Sequence, residues 1–410
     1  MATYNLAASD LITLLNSTVT NQTGRLILET LLGDPAAGFP FDKTGVNTTN
    51  GPSDTTSPTF PVTGFDIVPG MATDSGGAYT VALELITVPG STTLTGSPFT
   101  VGAVGAETIN TPINITTAGG LVVAAGDQYV AVIDHNTGTA ADTMVGGAGL
   151  ERLVSGSGSN VLIGGSGANT LIGGSGADTL IGGGTSRLVA GSGANVLMSS
   201  TLSSGHDTLL GGTGPDLLMV QGGNNRLIAG NGANTLVGGS GHDTLISGGN
   251  TNIMMGSGNA RVVESLSGAH DTITAGSGSD TVVMAYGKTG VGNSILGSTG
   301  GLRIVDLSGS NTIVGGAGAD TIVLTGTFTP NGSTVTSAVS NTADQTITAG
   351  TGGVRIVTNE SFMNYSLSTA AGGVYTVNFT DTNQTLTIND KTGTSVTLVF
   401  AGDGHTPVTI

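Results

Sequence analysis

The chain has no cysteine and no tryptophan, and only 9% of its residues are charged, where about a quarter is usual in globular proteins. Without cysteine it forms no disulfide, but a secreted protein can do without disulfides if a repetitive core holds it together. No run of 18 apolar residues occurs, which argues against a membrane-spanning helix. The first residues, MATYNLAASDLITLLNSTV, lack a basic segment and a long apolar segment, so no Sec-type signal peptide is expected.

Basic residues are also scarce, since ten Lys and Arg face 27 Asp and Glu and give a net charge of −17. This balance opposes binding to nucleic acid or to an anionic membrane and is compatible with bound calcium. No HExxH, GxSxG, Walker A or CxxC motif is present, and the GxGxxG-like strings lack a βαβ context. We therefore expect a protein without enzymatic activity.

Glycine is abundant, with 71 residues, and much of it belongs to one nine-residue phrase. The phrase recurs as GGSGANTLI from Gly164, GGSGADTLI from Gly173, GGTGPDLLM from Gly211, GGSGHDTLI from Gly238 and GGAGADTIV from Gly315. In each copy the glycines permit a tight turn, an Asp or Asn closes it, and an aliphatic pair forms a short strand. A tandem series of such units predicts a coil of turns and strands.

The phrase resembles the glycine-rich nonapeptide of the RTX (repeats-in-toxin) family, GGxGxDxUx, where U is a large aliphatic residue. The resemblance implies a parallel β-roll with two units per turn, in which sixth-position Asp side chains and glycine-turn carbonyls hold calcium. It also implies a bacterial extracellular or cell-surface protein, exported by type I secretion without a cleaved signal peptide. The C-terminal stretch TSVTLVFAGDGHTPVTI is compatible with that route.

The resemblance assigns metal binding to the sixth-position aspartates, and these are Asp178, Asp207, Asp216, Asp243, Asp271, Asp280 and Asp320. With two units per turn, one edge of the roll carries Asn160, Asp178, Asn195, Asp216, Asn234, Asn252, Asp271, Asn293 and Asn311. The other edge carries Glu151, Asn169, Ser186, Asp207, Asn225, Asp243, Ala260, Asp280, Leu302 and Asp320. No two Asp residues are neighbours on either edge, so we expect calcium (Ca2+) sites that are weak or optional.

Arginine shows a second periodicity, because it precedes two aliphatic residues in every fourth unit, at Arg152, Arg187, Arg226, Arg261 and Arg303. Thr170, Thr208, Thr244, Thr281 and Thr321 fall between them, so a column of alternating Arg and Thr is predicted on one edge. Two interpretations stay open at this point. The arginines either form a solvated ridge or bridge to Asp207, Asp243, Asp280 and Asp320 and replace calcium there.

The predicted fold is all-β: a parallel RTX-like β-solenoid between an N-terminal β-sandwich-like domain and a C-terminal β cap. The predicted segments are 1–34, a cap or docking segment; 35–63, a Pro-rich loop; 64–140, the sandwich-like domain; 141–323, the solenoid; 324–358, a degenerate repeat and linker; and 359–410, the cap and possible secretion signal. The short alternating strands support this division, as does the position of nine of the twelve prolines before residue 113.

We expect a secreted structural protein that self-assembles into, or decorates, a surface layer, filament or matrix. A homo-oligomer or polymer is the expected state. One alternative is a calcium-dependent adhesin that binds cell-surface glycan through residues 64–140. Another is the RTX part of a secreted enzyme, which needs a catalytic constellation in residues 1–140 that the sequence does not display. An ice-binding solenoid is disfavoured, because regularly spaced arginines interrupt its threonine column.

Overall fold

The computed structural model describes residues 3–5, 44–47, 63–69, 83–88, 93–96, 100–106, 113–117, 122–125, 130–134, 139, 141–147, 149–199, 205–264, 270–284, 292–306, 309–326, 339–340, 343–358, 362–380, 382–390, 393–401 and 405–410. The predicted cap at 1–34 and the predicted Pro-rich loop at 35–63 lie largely outside these residues. The chain divides into two compact units, Met1–Asp207 and Thr208–Ile410.

The first unit is built from short strands. Its described strands are β1 (Thr3–Asn5), β2 (Thr44–Asn47), β3 (Thr63–Pro69), β4 (Leu83–Val88), β5 (Thr93–Gly96), β6 (Thr100–Ala106), β7 (Ile113–Thr117), β8 (Val122–Ala125), β9 (Val130–Asp134), β10 (Thr143–Val145), β11 (Glu151–Val154), β12 (Val161–Ile163), β13 (Asn169–Ser175), β14 (Thr179–Ile181), β15 (Ser186–Ser192) and β16 (Val196–Met198).

The second unit has the same construction. Its described strands are β17 (Thr208–Thr213), β18 (Leu217–Met219), β19 (Arg226–Asn231), β20 (Thr235–Val237), β21 (Thr244–Ile246), β22 (Asn252–Met254), β23 (Arg261–Val263), β24 (Thr272–Thr274), β25 (Asp280–Met284), β26 (Ser294–Leu296), β27 (Leu302–Asp306), β28 (Thr312–Val314), β29 (Asp320–Val323), β30 (Thr325–Gly326), β31 (Val339–Ser340), β32 (Gln345–Thr348), β33 (Val354–Thr358), β34 (Tyr365–Ala370), β35 (Val374–Phe379), β36 (Thr385–Asn389), β37 (Val396–Phe400) and β38 (Val408–Thr409), with a 3-10 helix at Phe362–Asn364.

Successive strands alternate between two sheets, and each strand pairs in parallel with the strand one full turn away. In the first unit β10 pairs with β12 and β12 with β14 in one sheet, whereas β11 pairs with β13 and β13 with β15 in the other. In the second unit β20, β22, β24, β26 and β28 form one such stack, and β19, β21, β23, β25 and β27 form the other. The predicted parallel β-solenoid with two repeat units per turn is therefore confirmed.

The coil has a core of one aliphatic column per sheet, because the middle residue of each short strand points inward. Leu171, Leu180, Leu227 and Ile253 are among these residues, and each is fully buried. Burial of each such side chain contributes about 1.5–3 kcal/mol. Nearest-neighbour packing of identical layers adds these contributions along the coil.

The turns between the sheets require glycine at the fourth position of the unit. Gly176 has φ 127° and Gly232 has φ 121°, which is the left-handed region that side chains avoid. A Cβ on Gly232 would also collide with the carbonyl oxygen of Gly214 in the preceding turn. Close stacking of successive turns therefore requires the glycines of the repeat.

The described strands of residues 64–140 pair differently from the predicted antiparallel sandwich. From Leu83 onward the pairings are parallel, with β4 on β6, β6 on β8, β5 on β7 and β7 on β9. Only β3 pairs antiparallel, with β2 and with β4. Short alternating strands separated by glycine turns occur both in antiparallel sandwiches and in parallel solenoids. The sequence pattern alone therefore did not distinguish a sandwich from additional solenoid turns.

The C-terminal part of the second unit also continues the coil. The sequence predicts four strands there, and the structure has β34, β35, β36 and β37 at those segments. Two of them extend the solenoid, because β36 pairs in parallel with β32 and β37 with β33. The hairpin β34–β35 pairs antiparallel and lies against β36, where it adds strands to the sheet edge.

One position in the predicted register is wrong. Asn252 pairs with Thr235 and is exposed, so it belongs to the outward-facing seventh position and not to the sixth. Thr251 is the buried residue of that turn, and its N–H donates to Asp271 Oδ1 over 2.8 Å. The reason is that the unit from Ser247 has eight residues, which a fixed nine-residue count does not follow.

Candidate calcium centre

The sixth-position side chains lie inside the corners of the coil. Each one begins a strand or directly precedes it, and the residue after it faces outward, so alternation along the chain turns the sixth residue inward. All seven aspartates predicted as metal ligands are buried, with at most 4% of their surface exposed: Asp178, Asp207, Asp216, Asp243, Asp271, Asp280 and Asp320. The structure distributes them along two edges, and no two of them are neighbours in successive turns on either edge.

In most sixth-position side chains that are Asp or Asn, one oxygen joins its own turn to the turn before it. Oδ1 of Asp178 accepts the N–H of Asn160 over 2.9 Å, and Oδ1 of Asn195 accepts the N–H of Asp178 over 2.8 Å. The same bond recurs with acceptors Asn160, Asn169, Asp207, Asn234, Asp243, Asp271, Asp280, Asn293, Asn311 and Asp320. Asp and Asn perform this role equally, because both offer a carbonyl-type oxygen at Oδ1.

The asparagine turns differ from the aspartate turns in the second polar atom of the side chain, which is Nδ2 and not Oδ2. Nδ2 of Asn234 donates to the carbonyl oxygens of Gly230 and Gly232 over 3.4 and 3.1 Å. Nδ2 of Asn169 donates in the same way to Gly165 and Gly167 over 3.2 and 3.0 Å. In an RTX turn such glycine carbonyls are the expected calcium ligands. The amide hydrogens therefore satisfy, within the protein, the oxygens that a cation would otherwise bind.

Three aspartates on the arginine-bearing edge use their second oxygen for their own turn. Oδ2 of Asp243, Asp280 and Asp320 accepts the N–H of Gly239, Gly276 and Gly316 over 3.2, 2.7 and 2.9 Å. Their Oδ1 atoms accept an N–H from the previous turn, as described above. Both oxygens of these carboxylates are thus engaged by backbone donors.

Asp178, on the other edge, presents an oxygen that no donor reaches. Its Oδ2 is buried and has no hydrogen-bond partner. The carbonyl oxygen of Ala190, one turn later, faces the same point: a Cβ built on Gly173 would lie 2.8 Å from it and closer still to Asp178 Oδ2. Gly211 shows the same convergence, with a Cβ position 2.6 Å from Asp216 Oδ2 and closer to the Ala229 carbonyl. At Asp178, where no donor reaches Oδ2, such converging oxygens fit a hard cation such as calcium.

Burial changes the pKa of several of these carboxyl groups. Removal from water raises the pKa of Asp178, Asp243, Asp280 and Asp320 above the ordinary value of an aspartate. Backbone N–H donors oppose that shift at each of them. An ionised carboxylate in these corners is consequently stabilised by any cation that comes within its reach.

The corners also contain acidic residues that the repeat pattern did not predict. Asp142 is 1% exposed at the sixth position before β10, and its N–H donates to Asn160 Oδ1 over 2.9 Å. The phrase ADTMV around Asp142, which matches ADTLI around Asp178, is the signal that could have found it. Glu264 and Asp306 are buried at first positions, where they accept the side-chain amides of Asn293 and Asn311 over 3.0 and 2.9 Å.

No group of three His, Asp or Glu side chains gathers around one point within the described part of the chain. Each candidate calcium position therefore combines one carboxylate with backbone carbonyls. Calcium affinity rises with ligand charge, so such sites belong to the weak end of the range found in proteins.

The arginine column is present in the predicted register but not in the bridging role. Arg226 pairs with Thr208 and Thr244, and Arg261 pairs with Thr244 and Thr281, as the Arg/Thr alternation requires. The six described arginines are exposed, and their guanidinium groups make no hydrogen bond or ion pair with another residue that the structure describes. The bridge to Asp207, Asp243, Asp280 and Asp320 is wrong, because strand alternation directs Arg outward and Asp inward.

Comparison with known proteins agrees with this geometry. A family model described as RTX calcium-binding nonapeptide repeat (4 copies) matches residues 154–189, 202–236, 219–254, 267–283 and 303–325. A search of curated proteins gives no match. The chain therefore carries RTX calcium-binding nonapeptide repeats within residues 154–325, and such repeats are typical of secreted bacterial proteins.

Proposed function

We propose that this protein is a secreted, non-enzymatic structural protein whose calcium-stabilised solenoid self-assembles into, or decorates, an extracellular layer, filament or matrix. The observation that carries the proposal is the pair of oxygens at Asp178 and Ala190, which recurs at Asp216 and Ala229 on a regular coil. Calcium binding at such positions couples the folding of the coil to the calcium concentration outside the cell. No helix in the described residues has the length and apolar character to cross a membrane.

The proposed calcium ligands are Asp178 in the first unit and Asp216 and Asp271 on one edge of the second unit, together with turn carbonyls. At the other edge Asp243, Asp280 and Asp320 already accept two backbone donors each, so calcium there competes with hydrogen bonds. The side-chain amides of Asn169 and Asn234 donate hydrogen bonds to glycine carbonyls of their own turns, so these turns need no ion. The coil is thus partly preformed, and calcium completes it. When bound, the ion neutralises the buried carboxylate and draws adjacent turns together.

Self-assembly is supported by apolar side chains on the outside of the second unit. Met254 and Leu296 are 41% and 47% exposed. They lie on one face of the same sheet, since Met254 pairs with Thr274 and Thr274 pairs with Leu296. A second copy of the chain that covers this face removes both side chains from water.

The experiment is a calcium titration of the chelated protein, followed by circular dichroism and by light scattering in the same samples. We expect β-structure to sharpen at millimolar calcium and large particles to form with it. Met254→Ser with Leu296→Ser should keep the calcium response and stay monomeric, which separates folding from assembly. A wild-type protein that remains a monomer at high concentration with saturating calcium contradicts the assembly, and unchanged spectra and melting contradict the calcium role.

A further inference from the structure

In the described part of the solenoid, the acidic side chains are mostly buried and the arginine side chains are exposed. From Val132 onward, every acidic side chain that the structure describes is buried except that of Asp344. The arginines described there are all exposed: Arg152, Arg187, Arg226, Arg261, Arg303 and Arg355. Among the described residues from Val132 onward, the charged side chains that reach the surface are therefore mostly cationic, although the whole chain has a net charge of −17.

These arginines form a straight column within the second unit. The pairings run from Arg226 through Thr244 to Arg261, then through Thr281 to Arg303, and through Thr321 to Arg355. One arginine occurs on every second strand. Since neighbouring strands lie about 4.8 Å apart, the guanidinium groups emerge from backbones spaced by roughly 10 Å.

Two further columns accompany the arginines on the same face. The threonines between them, such as Thr244 and Thr281, are partly exposed and offer a hydroxyl at each intermediate layer. Two residues further along each strand lies a partly exposed aliphatic residue, for example Ile228 or Val263. The face therefore combines a regular row of cations, a row of hydroxyls and a continuous apolar strip.

We propose that this face binds an extended anionic polysaccharide that carries one carboxylate per disaccharide. Two residues of an extended β-linked glycan span about the length of two strand layers, roughly 10 Å. Each carboxylate of such a polymer can pair with one guanidinium, which matches carboxylate geometry with two parallel donors. The threonine hydroxyls hydrogen-bond with sugar hydroxyls, and the aliphatic strip packs against the C–H faces of the sugar rings.

Other extended polyanions have the wrong charge spacing. Duplex DNA carries a charge per about 1.7 Å of axis. Side chains on one face of an extended acidic peptide recur about every 7 Å, so only occasional carboxylates coincide with an arginine. A polymer with sparse, regular charges is therefore the better partner for this column. This inference goes beyond the proposed function, because it requires neither assembly nor a particular calcium occupancy.

The test is isothermal titration of the full-length protein, with calcium present, against hyaluronan oligosaccharides, which have one carboxylate per disaccharide. We expect affinity to rise with length up to about four disaccharides, the reach of the four arginines in the second unit. It should fall when salt is raised, since exposed charges are screened. Each of Arg226→Gln, Arg261→Gln and Arg303→Gln should weaken binding about two- to fivefold.

A charge-neutral swap provides the matched control. Arg261→Thr with Thr281→Arg keeps the composition and net charge but breaks the regular spacing. We expect it to lose most of the gain with oligosaccharide length while its melting curve shows it is folded. Equal binding by the swap, equal binding of carboxyl-reduced hyaluronan, or tighter binding of polyglutamate or single-stranded DNA of equal charge would overturn the proposal. Binding to the monomeric Met254→Ser, Leu296→Ser variant separates this result from the assembly proposal.

Discussion

Oδ1 of Asp178 accepts two hydrogen bonds from Asn160, one from its backbone N–H and one from its side-chain amide, each over 2.9 Å. The two residues occupy the same corner in successive turns, and they make opposite use of their second side-chain atom. Asn160 donates from Nδ2 to the Gly158 carbonyl over 3.2 Å, whereas Asp178 Oδ2 has no donor. Asn160 therefore closes its corner by itself, whereas Asp178 presents an oxygen without a donor, at the position that we assign to a cation.

Asp178→Asn should remove one calcium position and stabilise the calcium-free protein. The new amide keeps Oδ1 as acceptor and gives a donor to the oxygens around Gly173, so the free energy of unfolding should rise by about 1 kcal/mol. Calcium stoichiometry should fall by one in a titration calorimeter. Asp344→Asn, at an exposed acidic residue, is the control and should change neither quantity. Unchanged stoichiometry in the Asp178 variant contradicts its role as a ligand.

Asp280→Asn should behave differently, although the substitution is the same. Both oxygens of Asp280 accept backbone N–H groups, from Ala260 over 2.9 Å and from Gly276 over 2.7 Å. Whichever way the amide turns, its NH2 group faces one N–H donor. In chelator we expect this variant to be less stable than Asp178→Asn by about 1–3 kcal/mol, measured by urea unfolding. Equal stability of the two variants would show that the corners do not differ.

The pH dependence of stability should change sign with calcium. Burial raises the pKa of Asp178 and of Asp243, so the native chain binds more protons than the unfolded chain between the ordinary pKa, 3.8, and the raised value. Without calcium, the free energy of unfolding should therefore increase as pH falls through the raised pKa and level off below 3.8. With calcium bound, protons compete with the ion, so acidification should lower the melting temperature. Calorimetry in chelator and in calcium between neutral pH and pH 4 distinguishes the two trends.

The repeat phrase predicted the architecture because its constraints are local. Glycine at positions such as 176 and 232 permits a turn that few other residues form, and two aliphatic residues then fix a short strand. The Arg/Thr register followed from two units per turn. Asn252 was misplaced because the register shifts by a residue where a unit is short, and only the pairing with Thr235 reveals it.

The candidate site was less predictable, since residue type does not specify what each side-chain atom meets. Asp178 and Asp280 look equivalent in the repeat, yet one has an oxygen without a donor and the other has both oxygens engaged. That difference depends on the path of the neighbouring turn. The parallel pairing of β4 to β9 was missed for a related reason: strand alternation does not reveal which partner a strand will take.

The core and the outer face should respond differently to truncation. Leu227 is fully buried, whereas its neighbour Ile228 lies on the partly exposed outer face. Leu227→Ala should cost about 2–5 kcal/mol, because the stacked layers cannot collapse around the cavity. Ile228→Ala should cost much less, so it serves as the control in thermal unfolding. Similar losses in both variants would mean that the outer face is packed against another surface.

Gly232→Ala should show how far stacking depends on a glycine in the turn. Gly232 has φ 121°, and an added Cβ would collide with the backbone oxygen of Gly214 in the preceding turn. Gly372 also has a positive φ, 85°, but a Cβ there meets nothing within 4 Å, so Gly372→Ala isolates the conformational strain of about 1–3 kcal/mol. We expect Gly232→Ala to cost clearly more than Gly372→Ala in urea unfolding. If the two costs are equal, the close approach of successive turns is not what selects glycine in the repeat.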